Sequence, residues 1–83
     1  MNASPTPRSV LVAGGTGFLG AAIVRELQDR GHRVVVLSRH PDSVQDRFPG
    51  RAVGARAGDV TDPRTLARAF DGIDAVVQSV QFP

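Results

Sequence analysis

Four glycines, Gly14, Gly15, Gly17 and Gly20, fall within the string Gly14-Gly15-Thr16-Gly17-Phe18-Leu19-Gly20. The string follows the apolar run Val10-Leu11-Val12-Ala13 and opens the amphipathic stretch that begins at Phe18. Glycines so placed have three uses. One lets the chain turn sharply off a strand, one leaves backbone N–H groups bare enough to meet a diphosphate, and the last lets a helix pack close to the sheet. The N-terminus of that helix adds unpaired N–H donors and a partial positive charge. The chemistry this suits is binding the pyrophosphate of a dinucleotide. A loop that only packs helix on strand is the alternative reading of the same glycines.

Ser38 and Arg39 stand at the end of the run Arg33–Ser38, where the ribose of a bound dinucleotide would lie. A carboxylate there suits a free 2′-hydroxyl and repels a 2′-phosphate. A hydroxyl and a guanidinium fork suit the phosphate instead. The expected cofactor is therefore NADP(H), with NAD(H) as the other choice. A solvated arginine ending a strand is the plain alternative for Arg39. Asp59-Val60 and Gln78-Ser79-Val80 end two further apolar stretches, at the carboxyl edge of a sheet where ligands bind. His32 and His40 are expected to be solvent-facing turn residues. Cysteine is absent and two histidines are too few for a zinc site, so no metal centre is expected.

These residues need elements to hold them. Val10–Ala13 reads as a strand buried on both faces. Residues 18–30 read as a helix with Gly20, Ile23, Val24 and Leu27 on one face and Arg25, Gln28 and Asp29 on the other. Gly31 follows as its left-handed stop. Arg33–Ser38 is a β-branched strand. A short second helix is expected from His40 to about Phe48, ended by Pro49-Gly50, and a weak third strand over 52–58. Asp62 as N-cap and Pro63 at the first helical position start a third helix, with Leu66, Ala69 and Phe70 inward and Gly72 closing it. Residues 74–80 form a fourth strand. The alternation βαβαβαβ implies an α/β fold, a partial doubly wound parallel sheet of Rossmann-like type in strand order 3-2-1-4.

The segment Val12-Ala13-Gly14-Gly15-Thr16-Gly17-Phe18-Leu19-Gly20 resembles the cofactor fingerprint of the short-chain dehydrogenase/reductase superfamily, in its extended and atypical branches. Ala13 stands where the leading threonine of that fingerprint usually falls. Leu37-Ser38-Arg39-His40-Pro41, Gly58-Asp59-Val60-Thr61-Asp62 and Leu66-Ala67-Arg68-Ala69-Phe70 extend the likeness, which is greatest to epimerase-like and NmrA-like NAD(P)H-binding proteins. The resemblance implies that Asp59 and Val60 border an adenine pocket, with Asp59 accepting from the exocyclic amine, and that Ser79 lies in a cofactor-contacting segment. A turn-capping role is the alternative for Asp59. Catalysis in that superfamily uses a Tyr and Lys pair. The chain holds no Tyr and no Lys, so the expectation is a binding module with no catalytic residue of its own.

Size and composition narrow the rest. At 83 residues the chain makes at most one small domain, and Leu, Ile, Val and Phe together number 23, enough for a core. Residues 1–7, with two prolines, read as a disordered leader, and residues 8–83 as the N-terminal part of an NAD(P)-binding Rossmann domain. The net charge is only +2 and the basic residues, all arginines, form no run, which argues against nucleic acid as a partner. No apolar stretch is long enough for a membrane span, and no signal peptide is evident, so the expected compartment is the cytoplasm. The all-arginine, alanine-rich composition points to a GC-rich bacterial genome. Three readings remain: the nucleotide-binding part of an oxidoreductase or epimerase, part of a non-catalytic NAD(P)H-sensing or assembly protein, and a small interaction module. An unpaired edge on the fourth strand would favour self-association.

Overall fold

Valines and leucines fill most of Val10–Ala13 and all of Val34–Leu37, and both runs form central strands whose two faces are covered. The computed structural model describes residues 8–14 and 17–79; the expected leader, Gly15, Thr16 and Val80 lie outside the described residues. The strands are β1 (Ser9–Ala13), β2 (Arg33–Ser38), β3 (Gly54–Ala57) and β4 (Ala75–Gln78). All pair in parallel in the order β3-β2-β1-β4, the order that right-handed crossovers from a βαβαβαβ chain produce. In this register Leu11 lies between Val35 and Val76.

The period-two alternation divides the core into two layers. Val10, Val12, Val34 and Val36 face one side, packed with Val24, Val44, Phe48 and Val53. Leu11, Ala13, Val35 and Leu37 face the other, packed with Ala69 and flanked by Val60, Leu66 and Ile73. The first layer is covered by α1 (Phe18–Asp29), which buries Gly20 and Val24 and leans Ala21, Ile23 and Leu27 on the sheet. Gly31 (φ +91°) ends it: its N–H donates to the Gln28 carbonyl at 2.9 Å, and the His32 N–H to the Leu27 carbonyl at 3.1 Å. This pair of bonds is a Schellman stop. Gln28, expected on the solvent face, is half-buried instead, and its amide donates to the Ala52 carbonyl at 2.8 Å. Among the described residues no helix is long and apolar enough to cross a membrane.

Two expected helices are absent as helices. Residues 41–47 form two single 3-10 turns, Pro41–Ser43 and Gln45–Arg47. Seven residues between two prolines are too few to sustain an isolated helix, but Val44 and Phe48 still reach the core. Residues 62–72 form one 3-10 turn, Pro63–Thr65, followed by further turns. Asp62 caps it as expected, accepting from the Arg64 N–H at 3.2 Å. The backbone bonds here span three residues rather than four, from the Leu66 N–H to the Pro63 carbonyl at 3.1 Å and from the Asp71 N–H to the Arg68 carbonyl at 3.2 Å. The Thr65 hydroxyl donates to the carbonyl of Asp62 at 2.8 Å, and the Arg56 guanidinium to those of Ala69 and Asp71 at 2.8 and 2.6 Å. Strand β3 is shorter than expected, and β4 begins one residue later, after Asp74 has accepted the Ser9 N–H at 2.8 Å. His40 is exposed as expected; His32 is half-buried, its Nδ1 accepting from the Arg8 N–H at 3.2 Å.

Candidate functional site

Parallel strands bring all their carboxyl ends to one edge of the sheet, so Ala13, Ser38, Ala57 and Gln78 finish side by side. At this edge β1 gives way to Gly14, whose φ of +85° turns the chain in a way open only to glycine at little cost. The Gly17 N–H closes the turn on the Gly14 carbonyl at 3.2 Å, and the Ala21 N–H donates to the Gly17 carbonyl at 2.8 Å to start α1. Gly17 is the N-cap in extended conformation (φ −76°, ψ 173°) and offers no side chain to the helix's first N–H groups. Those donors, with the helix dipole behind them, are left for an anion.

Beside the turn lies a cavity of about 400 Å³. Gly14 forms one wall, Ser38 and Arg39 a second, and Asp59 and Val60 a third, so five of the residues singled out from the sequence line one space. Gly58 lets the walls approach: a Cβ there would run into the Leu37 side chain, and its N–H extends the β2–β3 ladder to the Ser38 carbonyl at 3.1 Å. The Ser38 hydroxyl oxygen accepts the His40 N–H at 2.9 Å, which sets the bend after β2. Arg39 is exposed and forms no ion pair among the described residues.

Asp59 is fixed on several sides. Its Oδ1 accepts the Thr61 hydroxyl at 2.7 Å and the Thr61 N–H at 2.9 Å, while its own N–H donates to Thr65 Oγ1 at 2.8 Å. These Thr61 bonds, the hydroxyl's first and the backbone's second, hold the carboxyl below its ordinary value; the positive charge of Arg39 adds a smaller push the same way. Asp59 thus caps a turn with one oxygen and, among the described residues, leaves Oδ2 unbonded.

The remaining sequence-derived residues divide. Gly20 is buried against the sheet, while Phe18 and Leu19 project into solvent, Phe18 almost wholly exposed. Ser79 does not line the cavity; its hydroxyl is 3.0 Å from the Ala13 carbonyl oxygen and 3.2 Å from that of Gly14. Sequence reasoning passed over Thr65, and named Gly58 and Thr61 only within a matching segment, with no role of their own. Gly58 ends a strand and Thr61 stands two residues after an aspartate, the spacing of an Asx turn, so both carried a signal. Among the described residues no three His, Cys, Asp or Glu side chains gather to hold a metal. The arrangement offers hydrogen bonds and charge.

A parallel sheet in this order, with a glycine turn leading into the first helix at the carboxyl edge, defines a Rossmann-type nucleotide-binding domain. A family model described as NAD(P)H-binding matches residues 14–81, and the chain belongs to that family. A 2-alkyl-3-oxoalkanoate reductase of Stenotrophomonas maltophilia is 42% identical over 67 residues, which are 81% of this chain and 19% of that protein. Among solved structures, AtPrR2 with NADP+ and (+)-pinoresinol superposes with a TM-score of 0.74 at 30% identity, over 93% of this chain and 27% of that one. Bordetella bronchiseptica WbmG in complex with NAD superposes with a TM-score of 0.73 at 28% identity, over 94% and 26%. The chain therefore spans about a fifth to a quarter of the length of these proteins. It is an NAD(P)H-binding domain related to oxidoreductases and epimerases, and its cofactor class is a nicotinamide dinucleotide.

Proposed function

We propose that this chain is the nucleotide-binding segment of a cytoplasmic, NADP(H)-dependent oxidoreductase or epimerase-like protein, with residues 8–83 as the N-terminal part of its Rossmann domain. The observation that carries the reading is the make-up of the cavity at the strand ends. It joins the glycine turn to a second wall that holds a hydroxyl and a guanidinium, free of ion pairs among the described residues, where an NAD site would carry a carboxylate. In this reading the segment Gly14–Gly20 and the first N–H groups of α1 take the pyrophosphate. Ser38 and Arg39 bind the 2′-phosphate, the serine as a neutral hydrogen-bonding partner and the arginine as a charged fork. Asp59 accepts from the adenine amine through Oδ2, and Val60 supplies the apolar flank. Bound in this way, a nicotinamide dinucleotide supplies a hydride donor or acceptor. The chain itself binds and orients it and, without Tyr or Lys, catalyses nothing alone.

Thermal unfolding of the chain followed by circular dichroism, with no ligand, with NADPH and with NADH, tests this. Ligand at about 100 times its Kd adds roughly 2.7 kcal/mol. For a domain of this size each kcal/mol raises the midpoint by about 4–8 °C. The expected result is one cooperative transition raised mainly by NADPH. Equal shifts from both nucleotides would remove the NADP(H) preference, and no shift from either would remove the binding function.

A further inference from the structure

Ser79 follows β4 and is joined to the glycine turn across 65 residues of sequence. Its N–H donates to the Ala13 carbonyl at 2.9 Å, carrying the β1–β4 ladder one step past the last strand pair, Ala13 with Gln78. Its hydroxyl oxygen lies within donating distance of two carbonyls, that of Ala13 at 3.0 Å and that of Gly14 at 3.2 Å. A serine has one proton to give, so this one is held by the backbone of the turn. The matching seam between β2 and β3 is completed by backbone alone, through the Gly58 N–H on the Ser38 carbonyl.

Neither carbonyl needs this hydroxyl in order to be satisfied. The Ala13 oxygen already accepts the Ser79 N–H, and the Gly14 oxygen already accepts the Gly17 N–H. Removing the hydroxyl therefore leaves no buried acceptor without a partner, and the usual large penalty for an orphaned polar group does not arise. What the hydroxyl adds is direction. It reaches the carbonyl of Gly14, the residue held at φ +85°, and that same carbonyl accepts the Gly17 N–H leading into α1, so the hydroxyl bears on how the turn presents the helix N-terminus.

We propose that Ser79 is a positioning residue: its hydroxyl locks the Gly14 peptide so that the glycine turn meets the pyrophosphate preorganised, without itself touching the ligand. This rests on the dinucleotide reading above. It concerns the pyrophosphate end of the ligand alone, because Ser79 lies outside the cavity that Ser38, Arg39 and Asp59 line.

The test compares the native chain with Ser79→Ala and Ser79→Thr by NMR titration against two probes. NADPH carries the pyrophosphate; 2′-AMP carries adenine, ribose and 2′-phosphate and lacks it. The expected result is that Ser79→Ala weakens NADPH at least fivefold and leaves 2′-AMP within twofold. Ser79→Thr, which keeps the hydroxyl, stays within twofold for both, and the thermal midpoint of each variant stays close to that of the native chain. Unchanged NADPH affinity in Ser79→Ala overturns the proposal while the dinucleotide reading stands. Parallel weakening of both probes, or a lowered midpoint, reassigns Ser79 to general stability and also overturns it. A native chain that binds neither probe removes the dinucleotide reading and this proposal with it.

Discussion

Thr61 grips one oxygen of Asp59 twice, with its hydroxyl at 2.7 Å and its N–H at 2.9 Å. The other oxygen is thereby aimed from a fixed carboxylate, and the bonds favour its ionised form, so the folded carboxyl titrates below its ordinary 3.8. A carboxyl with a depressed folded pKa contributes stability above its unfolded value and loses it as pH falls through the folded one. The contribution of Asp59 is therefore present above about pH 3.8 and is lost progressively as pH falls from there through the lower folded value. Thr61→Val removes the larger of the two Thr61 effects and keeps the backbone bond. Its Asp59 midpoint, followed by carboxyl ¹³C NMR, should rise toward the ordinary value; an unmoved midpoint would show that the hydroxyl bond is not formed in solution.

Arg39 and Ser38 should act on the 2′-phosphate and nothing else. A charge-assisted hydrogen bond contributes about 1.5–3 kcal/mol, so Arg39→Ala should weaken NADPH by about 10- to 150-fold and hardly alter NADH. Ser38→Asp places a carboxylate where a 2′-hydroxyl would be welcomed and a 2′-phosphate repelled, and should invert the preference toward NADH. Calorimetric titration of both nucleotides against both variants reads this directly. Parallel loss of NADPH and NADH affinity would mean that these residues do not face the ribose.

Gly58 sits where a Cβ would collide with the buried Leu37 side chain. Overpacking of this kind costs about 1–3 kcal/mol, and at about 4–8 °C per kcal/mol Gly58→Ala should lower the unfolding midpoint by roughly 5 °C or more. The same methyl would intrude on the cavity wall and reduce nucleotide affinity. A variant as stable as the native chain would show that Leu37 moves aside freely.

Strand β4 pairs only with β1 among the described residues, and beside it Val76 and Phe70 are 51% and 43% exposed. An open edge with apolar neighbours is a template for pairing. The chain should therefore associate with itself as its concentration rises in sedimentation velocity. Val76→Lys, which sets a charge on that edge, should return it to monomer. A native chain that stays monomeric across the range would mean that the edge is protected.

What could be read from the sequence was whatever neighbours along the chain decide. Strand β2 runs over the expected residues, Arg33–Ser38, because its β-branched run has no competing local structure. Helix α1 begins at Phe18 and stops before Gly31 because apolar spacing and a left-handed glycine are local signals. The strand order followed from the handedness of crossovers, and the glycine turn from its place between strand and helix. The cavity could be foreseen as well, since parallel strands necessarily gather Gly14, Ser38, Arg39, Asp59 and Val60 at one edge.

Tertiary structure decided the places where a carbonyl finds its partner far away. Helical spacing in residues 62–72 was real, yet the stretch remains a series of turns, and its Ala69 and Asp71 carbonyls meet the Arg56 guanidinium from β3. The resemblance puts Ser79 in a cofactor-contacting segment, and only the pairing of β4 beside β1 brings its hydroxyl to the carbonyls of Ala13 and Gly14. Gly58 reads as an ordinary weak strand residue until Leu37 is packed against it. Periodicity reports what a segment prefers on its own. Which donors, acceptors and methyl groups it meets is set by the sheet that assembles residues many tens of positions apart.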